Sequence, residues 1–124
     1  MLIYRAQVQD LSAHEYKALA SLNMRGDGTM LGRLRQCRRG ELKGRVVVAE
    51  DRRMVLGWAL VFWPGLRPRA AFYVRASHRR QGIGTRIAKE VEHWYGPVDV
   101  WSWREEAALF FDRFDGLVQH KSAT

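Results

Sequence analysis

The chain has a single cysteine, Cys37, in 124 residues, which excludes any disulfide within it and fits a reducing compartment. Its histidines, His14, His78, His93 and His120, are scattered, with no H-x-x-x-H spacing and no cysteine partner, so no metal is expected. No apolar run approaches the roughly 20 residues that a bilayer crossing requires. The opening residues Met1-Leu2-Ile3-Tyr4-Arg5 turn polar too soon for a signal peptide. These absences lead to the expectation of a soluble, cytoplasmic protein that engages no membrane. Repeats, low-complexity tracts and long linkers are also missing, so one domain over residues 1–124 is expected.

Acidic residues are in short supply as well. Lysine and arginine number 21 against 13 aspartate and glutamate, a formal charge of +8, and the isoelectric point is near 10.4. Between Arg25 and Arg45, the basic residues Arg25, Arg33, Arg35, Arg38, Arg39, Lys43 and Arg45 face only Asp27 and Glu41. A second run comprises Arg67, Arg69, Arg75, Arg79, Arg80 and Arg86. Such a field attracts nucleic acid, acidic proteins or small polyanions, and charge alone does not choose among them. Apolar residues make up 47% of the chain, with five Trp, five Phe and four Tyr, enough to predict a packed core rather than disorder.

Hydrophobic patterning orders the elements. Residues 2–8 alternate as a first strand. Ser12-Ala13-His14-Glu15 is a capping box, with Leu11 and Tyr16 placed as a staple, and it opens a helix carrying Tyr16, Leu19, Ala20 and Asn23 on one stripe towards Gly26. A short helix is expected from Met30 to Cys37. The β-branched run Arg45–Glu50, the turn Asp51-Arg52-Arg53 and the strand Met54–Phe62 predict a hairpin, with Gly57 marking a bulge or a close approach. After Pro64-Gly65 and Pro68 comes the strand Ala70–Val74. A helix follows with Ile83, Ile87, Val91 and Trp94 expected on one buried face, stopped by Gly96-Pro97. Val98–Trp101 reads as a strand and Ser102-Trp103-Arg104-Glu105 as a second capping box. The last helix carries Ala107, Phe110, Phe111 and Phe114, and a short strand is expected over Leu117–His120. Trp58, Phe62, Trp63, Trp101 and Trp103 read as core or pocket walls.

The most telling stretch is Val74-Arg75-Ala76-Ser77-His78-Arg79-Arg80-Gln81-Gly82-Ile83-Gly84. A strand runs into a basic loop, two glycines and an amphipathic helix. A loop of this kind aims unpaired backbone N–H groups at one spot, where the helix N-terminus adds about half a positive charge. Glycine lets the backbone approach a ligand without an intervening Cβ. The string is neither a Walker A loop nor a complete dinucleotide fingerprint. It reads as a pyrophosphate cradle.

The pattern V-x-x-x-x-R-x-x-G-x-G-x-x-I, with Arg79-Arg80-Gln81-Gly82-Ile83-Gly84 at its centre, resembles motif A of the GNAT superfamily of acyl-CoA-dependent N-acetyltransferases. Element order from residue 45 to 118 is similar to that fold too. The resemblance implies an α/β (α+β) domain: a mixed, mostly antiparallel central sheet with a parallel splayed strand pair and helices on both faces. It implies acetyl-CoA as co-substrate, with Arg79, Arg80, Gln81, Gly82, Ile83, Gly84 and Thr85 holding the pyrophosphate. Phe72, Tyr73 and Val74 would border the acyl-pantetheine arm, and an N–H near Val74 would polarise the acyl carbonyl. The implied reaction is direct transfer of an acetyl group to an amine, borne by a small molecule or by a protein that is itself acidic.

Departures from the family pattern bear on proton transfer. Ala107 and Phe110 match the last-helix pattern, but Arg104 stands at its Asn, Phe111 at its Tyr and Asp115-Gly116 at its Gly-Phe. Where that Tyr serves as an acid it is worth about 10²–10⁴-fold in rate. Residues 69–74 contain no carboxylate to act as base, which leaves Glu50, Asp99, His78 and Glu105 as candidates and none assigned. His78 stands in the cradle loop where the family commonly has an aromatic, and reads first as a packing or surface residue. Larger relatives have a further hairpin strand after the sixth, so an acceptor site that is open, or completed by a second subunit in a homodimer, is expected. Two other readings stand beside the enzyme: a non-catalytic coenzyme A-binding regulatory module and a basic nucleic-acid-binding protein.

Overall fold

The computed structural model describes residues 1–22, 28–102 and 105–121. Its elements are β1 (Leu2–Gln7), α1 (Ala13–Ala20), α2 (Gly28–Arg38), β2 (Lys43–Asp51), β3 (Met54–Trp63), β4 (Arg69–Val74), α3 (Ile83–Tyr95), β5 (Val98–Ser102), α4 (Glu105–Phe111) and β6 (Leu117–Lys121). The six strands form one sheet in sequence order. β1 to β4 pair antiparallel, and β4, β5 and β6 are parallel. Each parallel step is joined by a crossover helix, as parallel neighbours require.

Alternation along the strands divides the apolar side chains between two layers. Val47, Ala49, Leu56, Ala59 and Val61 meet Ile83, Ile87, Ala88 and Val91 of α3, and Phe111 of α4, on one face. Val46, Val48, Trp58 and Leu60 meet Leu19 of α1, and Met30, Leu34 and Cys37 of α2, on the other. Full burial of one such aliphatic side chain is worth about 1.5–3 kcal/mol relative to its exposure. The two layers therefore hold the helices to both faces of the sheet.

Local chemistry sets the boundaries. The Ser12 N–H donates to Glu15 Oε1 at 2.8 Å, and the Glu15 N–H donates to Ser12 Oγ at 3.0 Å, closing the capping box. These bonds hold the Glu15 carboxyl below its ordinary pKa. The β2–β3 hairpin turns through Arg52 and Arg53, both at positive φ (50° and 69°), the geometry that matches strand twist in two-residue loops. Register shifts at Ala49/Glu50, leaving Leu56 bulged beside Gly57. A Cβ on Gly57 would lie 2.9 Å from the Tyr73 carbonyl oxygen and 3.2 Å from Ile87 Cδ1, so this glycine lets β4 and α3 close on β3. The expected bulge and close approach are both present.

One expectation is corrected. Ile83, Ile87 and Val91 are buried, but Trp94 is 49% exposed. In the last turn of α3 it is Tyr95, four residues after Val91, that packs inward, edge-on to Trp63 at 5.9 Å, and Trp94 lies on the surface with the Arg5 guanidinium 3.4 Å from its ring centroid. Asn23 and Gly26, and Trp103 and Arg104 of the second capping box, fall outside the described residues. Among the described residues no helix is long and apolar enough to cross a membrane.

Two consequences are measurable. Burial of Cys37 pushes its thiol pKa up to about 11. The folded protein is therefore expected to resist a thiol reagent at pH 8 and to react stoichiometrically once unfolded in guanidinium; rapid native labelling would contradict the placement. Gly57→Ala is expected to lower unfolding free energy by about 1–3 kcal/mol through overpacking, read from urea denaturation.

Candidate active site

β4 and β5 part almost as soon as they meet. Their register comprises only Arg69↔Asp99 and Ala70↔Val100. On the other side of β4, the Arg75 N–H donates to the Leu56 carbonyl at 2.8 Å. In an antiparallel pair this fixes the alternation, so odd-numbered residues of β4 bond to β3 while Phe72 and Val74 turn their N–H and C=O groups towards β5. Pairing ends before Ala71 and Trp101, so the Phe72 N–H is not taken up by β5. The Val74 carbonyl accepts a bond from Arg79 Nε at 3.1 Å. The fork is thus a notch edged by backbone donors.

Side chains sort around it by strand parity. Phe72 and Val74 pack into the α3/α4 layer, where Phe72 lies 5.4 Å from Phe111 between ring centroids. Tyr73 packs on the α1/α2 layer. The three residues expected to border one ligand arm therefore divide between two faces, with their backbone shared at the notch.

The loop after β4 forms a concave turn. A single 3₁₀ turn, Ala76–His78, leads to Arg80 and Gly82, both left-handed at φ 65° and 80°. Gly82 is the N-cap of α3 and supplies no side-chain cap. Among the described residues, no carbonyl or side chain accepts from the backbone N–H groups of Gly82, Ile83, Gly84 or Thr85; the next N–H, that of Arg86, is taken up by Gly82 O at 3.1 Å. Arg79, Arg80 and Gln81 are exposed and Ile83 is buried, anchoring the turn. A Cβ on Gly82 would meet nothing within 4 Å, whereas one on Gly84 would sit 3.5 Å from Val74 Cγ2 and 3.6 Å from Phe110 Cζ. The space before Gly82 is open to a ligand, and Gly84 lets helix, strand and α4 pack together.

Sequence patterning gave no signal for Arg113. It follows α4, packs over the rings of Phe110 and Phe114, and donates to Thr85 Oγ1 at 2.8 Å. This guanidinium adds a positive charge to the cradle's flank and ties α4 to the first turn of α3.

The proton-transfer candidates lie apart. His78 is in the 3₁₀ turn, its Nδ1 2.8 Å from Ser77 Oγ. Glu50 is the last residue but one of β2, two strands from β4, in a groove of about 310 Å³ lined also by Tyr4, His14, Glu15 and Arg53. Desolvation, then Glu50 and Glu15, raise the Tyr4 hydroxyl to about 12, so it stays protonated there. Glu105 is exposed at the start of α4. Asp99 lies beside the last β4–β5 pairs, with Oδ1 2.9 Å from Arg67 Nε and 3.0 Å from His120 Nε2. His120 carries no sequence motif; only the β5–β6 register brings it there. Among the described residues no group of His, Cys, Asp or Glu is placed to hold a metal ion.

Neither curated proteins nor solved structures give a match to this chain. A family model does: the acetyltransferase (GNAT) domain matches residues 43–115, from the start of β2 to the loop before β6. That span includes the forked strands, the cradle and α4 and takes in more than half of the chain, so the protein belongs to the GNAT acetyltransferase domain family.

Proposed function

We propose that this protein is an N-acetyltransferase that takes acetyl-CoA as donor and passes the acetyl group directly to an amine. The observation that carries the reading is the run of unpaired amides from Gly82 to Thr85 at the uncapped N-terminus of α3, next to a notch between β4 and β5. Coenzyme A brings a pyrophosphate and an acyl-bearing arm, and these residues fit both parts. Backbone donors and the helix dipole suit the pyrophosphate. Exposed Arg79, Arg80 and Arg113 add charge that neutralises it.

Residues of the chain have distinct parts in this reading. Gly82 keeps the anion's approach clear, and Ile83 anchors the turn in the core. Phe72 and Val74 present N–H groups to the arm and to the negative charge that develops on the acyl oxygen; one such donor is typically worth about 10²–10³-fold in rate. Phe111 offers no acidic hydrogen where the family pattern has a phenol, so the departing thiolate takes its proton from water. The acceptor comes from the α1/α2 face and, given the charge of +8, is an amine on an acidic small molecule or protein.

Coenzyme A is expected to raise the Tm of the wild type. Gly82→Glu is expected to abolish that rise by placing a carboxylate against the pyrophosphate. Gly82→Ala separates charge from backbone strain: at φ 80° it costs about 1–2 kcal/mol of stability and retains most of the coenzyme-induced shift. Acetyl-CoA with lysine, spermidine and an acidic peptide bearing a free N-terminus should release free thiol. Stabilisation without thiol release identifies a non-catalytic coenzyme-binding module, and salt-sensitive nucleic-acid affinity without coenzyme binding overturns the reading.

A further inference from the structure

Parity sorts the side chains of the forked half of the sheet. Val98, Val100 and Leu117 belong to the α3/α4 layer, so Asp99, Trp101 and His120 project from the α1/α2 face. On β4, Ala70 belongs to the α3/α4 layer, and Arg69, Ala71 and Tyr73 share the α1/α2 face, where Ala71 and Tyr73 pack on that layer. The Arg69 guanidinium sits 4.5 Å from the Trp101 ring centroid, and Trp101 stacks on His120 with centroids 4.8 Å apart. Asp99 takes Arg67 Nε and His120 Nε2 on one oxygen. Arg67 and Asp99 thus cancel, whereas Arg69 has no ion-pair partner among the described residues. The result is an aromatic shelf with one uncompensated guanidinium, and its net charge is positive whether or not His120 is protonated.

Arg69 stands on the strand that edges the notch. The pairs Arg69↔Asp99 and Ala70↔Val100 form the closed end of the fork. Trp101 is the next residue of β5, level with Ala71, so a guanidinium over its ring reaches from β4 to β5 where the fork begins. That level is one residue before Phe72 and three before Val74, about 3 Å and 10 Å along the strand from the two amides. Between Arg69 and the half-buried Tyr73, Ala71 contributes only a methyl group. The α1/α2 face of the notch is therefore a shallow seat, with a cation at its closed end, a low floor and a phenol at its open end.

We propose that Arg69 is a specificity-determining residue that takes a carboxylate of the acceptor, an inference that rests on the acetyltransferase reading. The acceptor class is then an amine with a carboxylate a few bonds from its nitrogen, as in a free amino acid or the acidic first residue of a peptide. A guanidinium offers five N–H donors in a planar fork that matches a carboxylate, and contact with an indole restricts where that fork can swing. With its carboxylate on Arg69, the acceptor lies over Ala71 and its nitrogen points along β4 towards the amides of Phe72 and Val74. An acceptor without a carboxylate gains nothing from Arg69 and loses this alignment. Net charge draws acidic molecules to the protein, but only a group at this point of the sheet measures how far the acid lies from the amine.

The test measures thiol release from acetyl-CoA with matched acceptors. Glycine, β-alanine and γ-aminobutyrate are compared with their decarboxylated counterparts, and peptides beginning with Glu or Asp with those beginning with Gln or Asn. The wild type is expected to favour the carboxylate member of a pair by about 10–10²-fold in kcat/KM, the range of a hydrogen bond between charged groups. Arg69→Gln is expected to bring that ratio close to one, mainly through KM, and to retain the coenzyme-induced Tm shift. Arg69→Lys keeps the charge without the fork and is expected to fall between. Arg39→Gln, which removes the same charge from a surface pair with Glu41, is expected to keep the wild-type ratio. Preference among the free amines supports a small-molecule acceptor, and preference confined to the peptides supports a protein N-terminus. Equal rates within every pair for the wild type, or an undiminished ratio in both Arg69 variants, overturn the proposal while the acetyltransferase reading stands. Coenzyme stabilisation without thiol release from any acceptor overturns that reading and the acceptor assignment together, and leaves the cradle.

Discussion

The rest of the site depends on how early β4 stops bonding to β5. Two residue pairs join them, against six between β4 and β3. A parallel pair continued to the end would consume the backbone groups of Phe72 and Val74 and seal the space between the strands. Ending it at Ala70 exposes polar backbone in the middle of a sheet, an arrangement that is costly unless water or a ligand satisfies those groups. The sheet tolerates the opening because both strands stay anchored: β4 to β3 along its length, and β5 to β6 over five pairs.

The same opening explains why the cradle and the aromatic shelf lie on opposite sides. The chain leaves β4 at Val74 and enters α3 on the Ile87 face, so the anion turn sits over that layer. On the other face of β5 and β6, Trp101, His120 and Asp99 pack on one another and on Arg67 and Arg69.

Much of this was legible in the residues themselves. The capping box at Ser12, the Arg52-Arg53 turn and the strand–glycine–helix order around Gly82 are local signals, each set by a few neighbouring residues. Trp94 shows the limit of periodicity. After Val91, a step of three leads to Trp94 and a step of four to Tyr95, and only the packing of Tyr95 on Trp63 decides which of them turns inward. Asp99 and His120 show another limit. Twenty residues separate them, and only the parallel register of β5 with β6 makes them neighbours. The notch was named from family resemblance. Its hydrogen-bond polarity followed only once the Arg75–Leu56 bond fixed which residues of β4 face outward.

That polarity has a consequence for selection. Because Arg79 already occupies the Val74 carbonyl, the exposed edge of β4 offers two N–H groups, those of Phe72 and Val74, against one unclaimed carbonyl. An arm lying along it is matched when its carbonyl oxygens outnumber its amide hydrogens. A peptide strand, with the two in equal number, would leave one of its own N–H groups facing the arginine. The folded-back guanidinium thus acts as a valence filter, turning a generic strand edge into one that discriminates against β-strand addition.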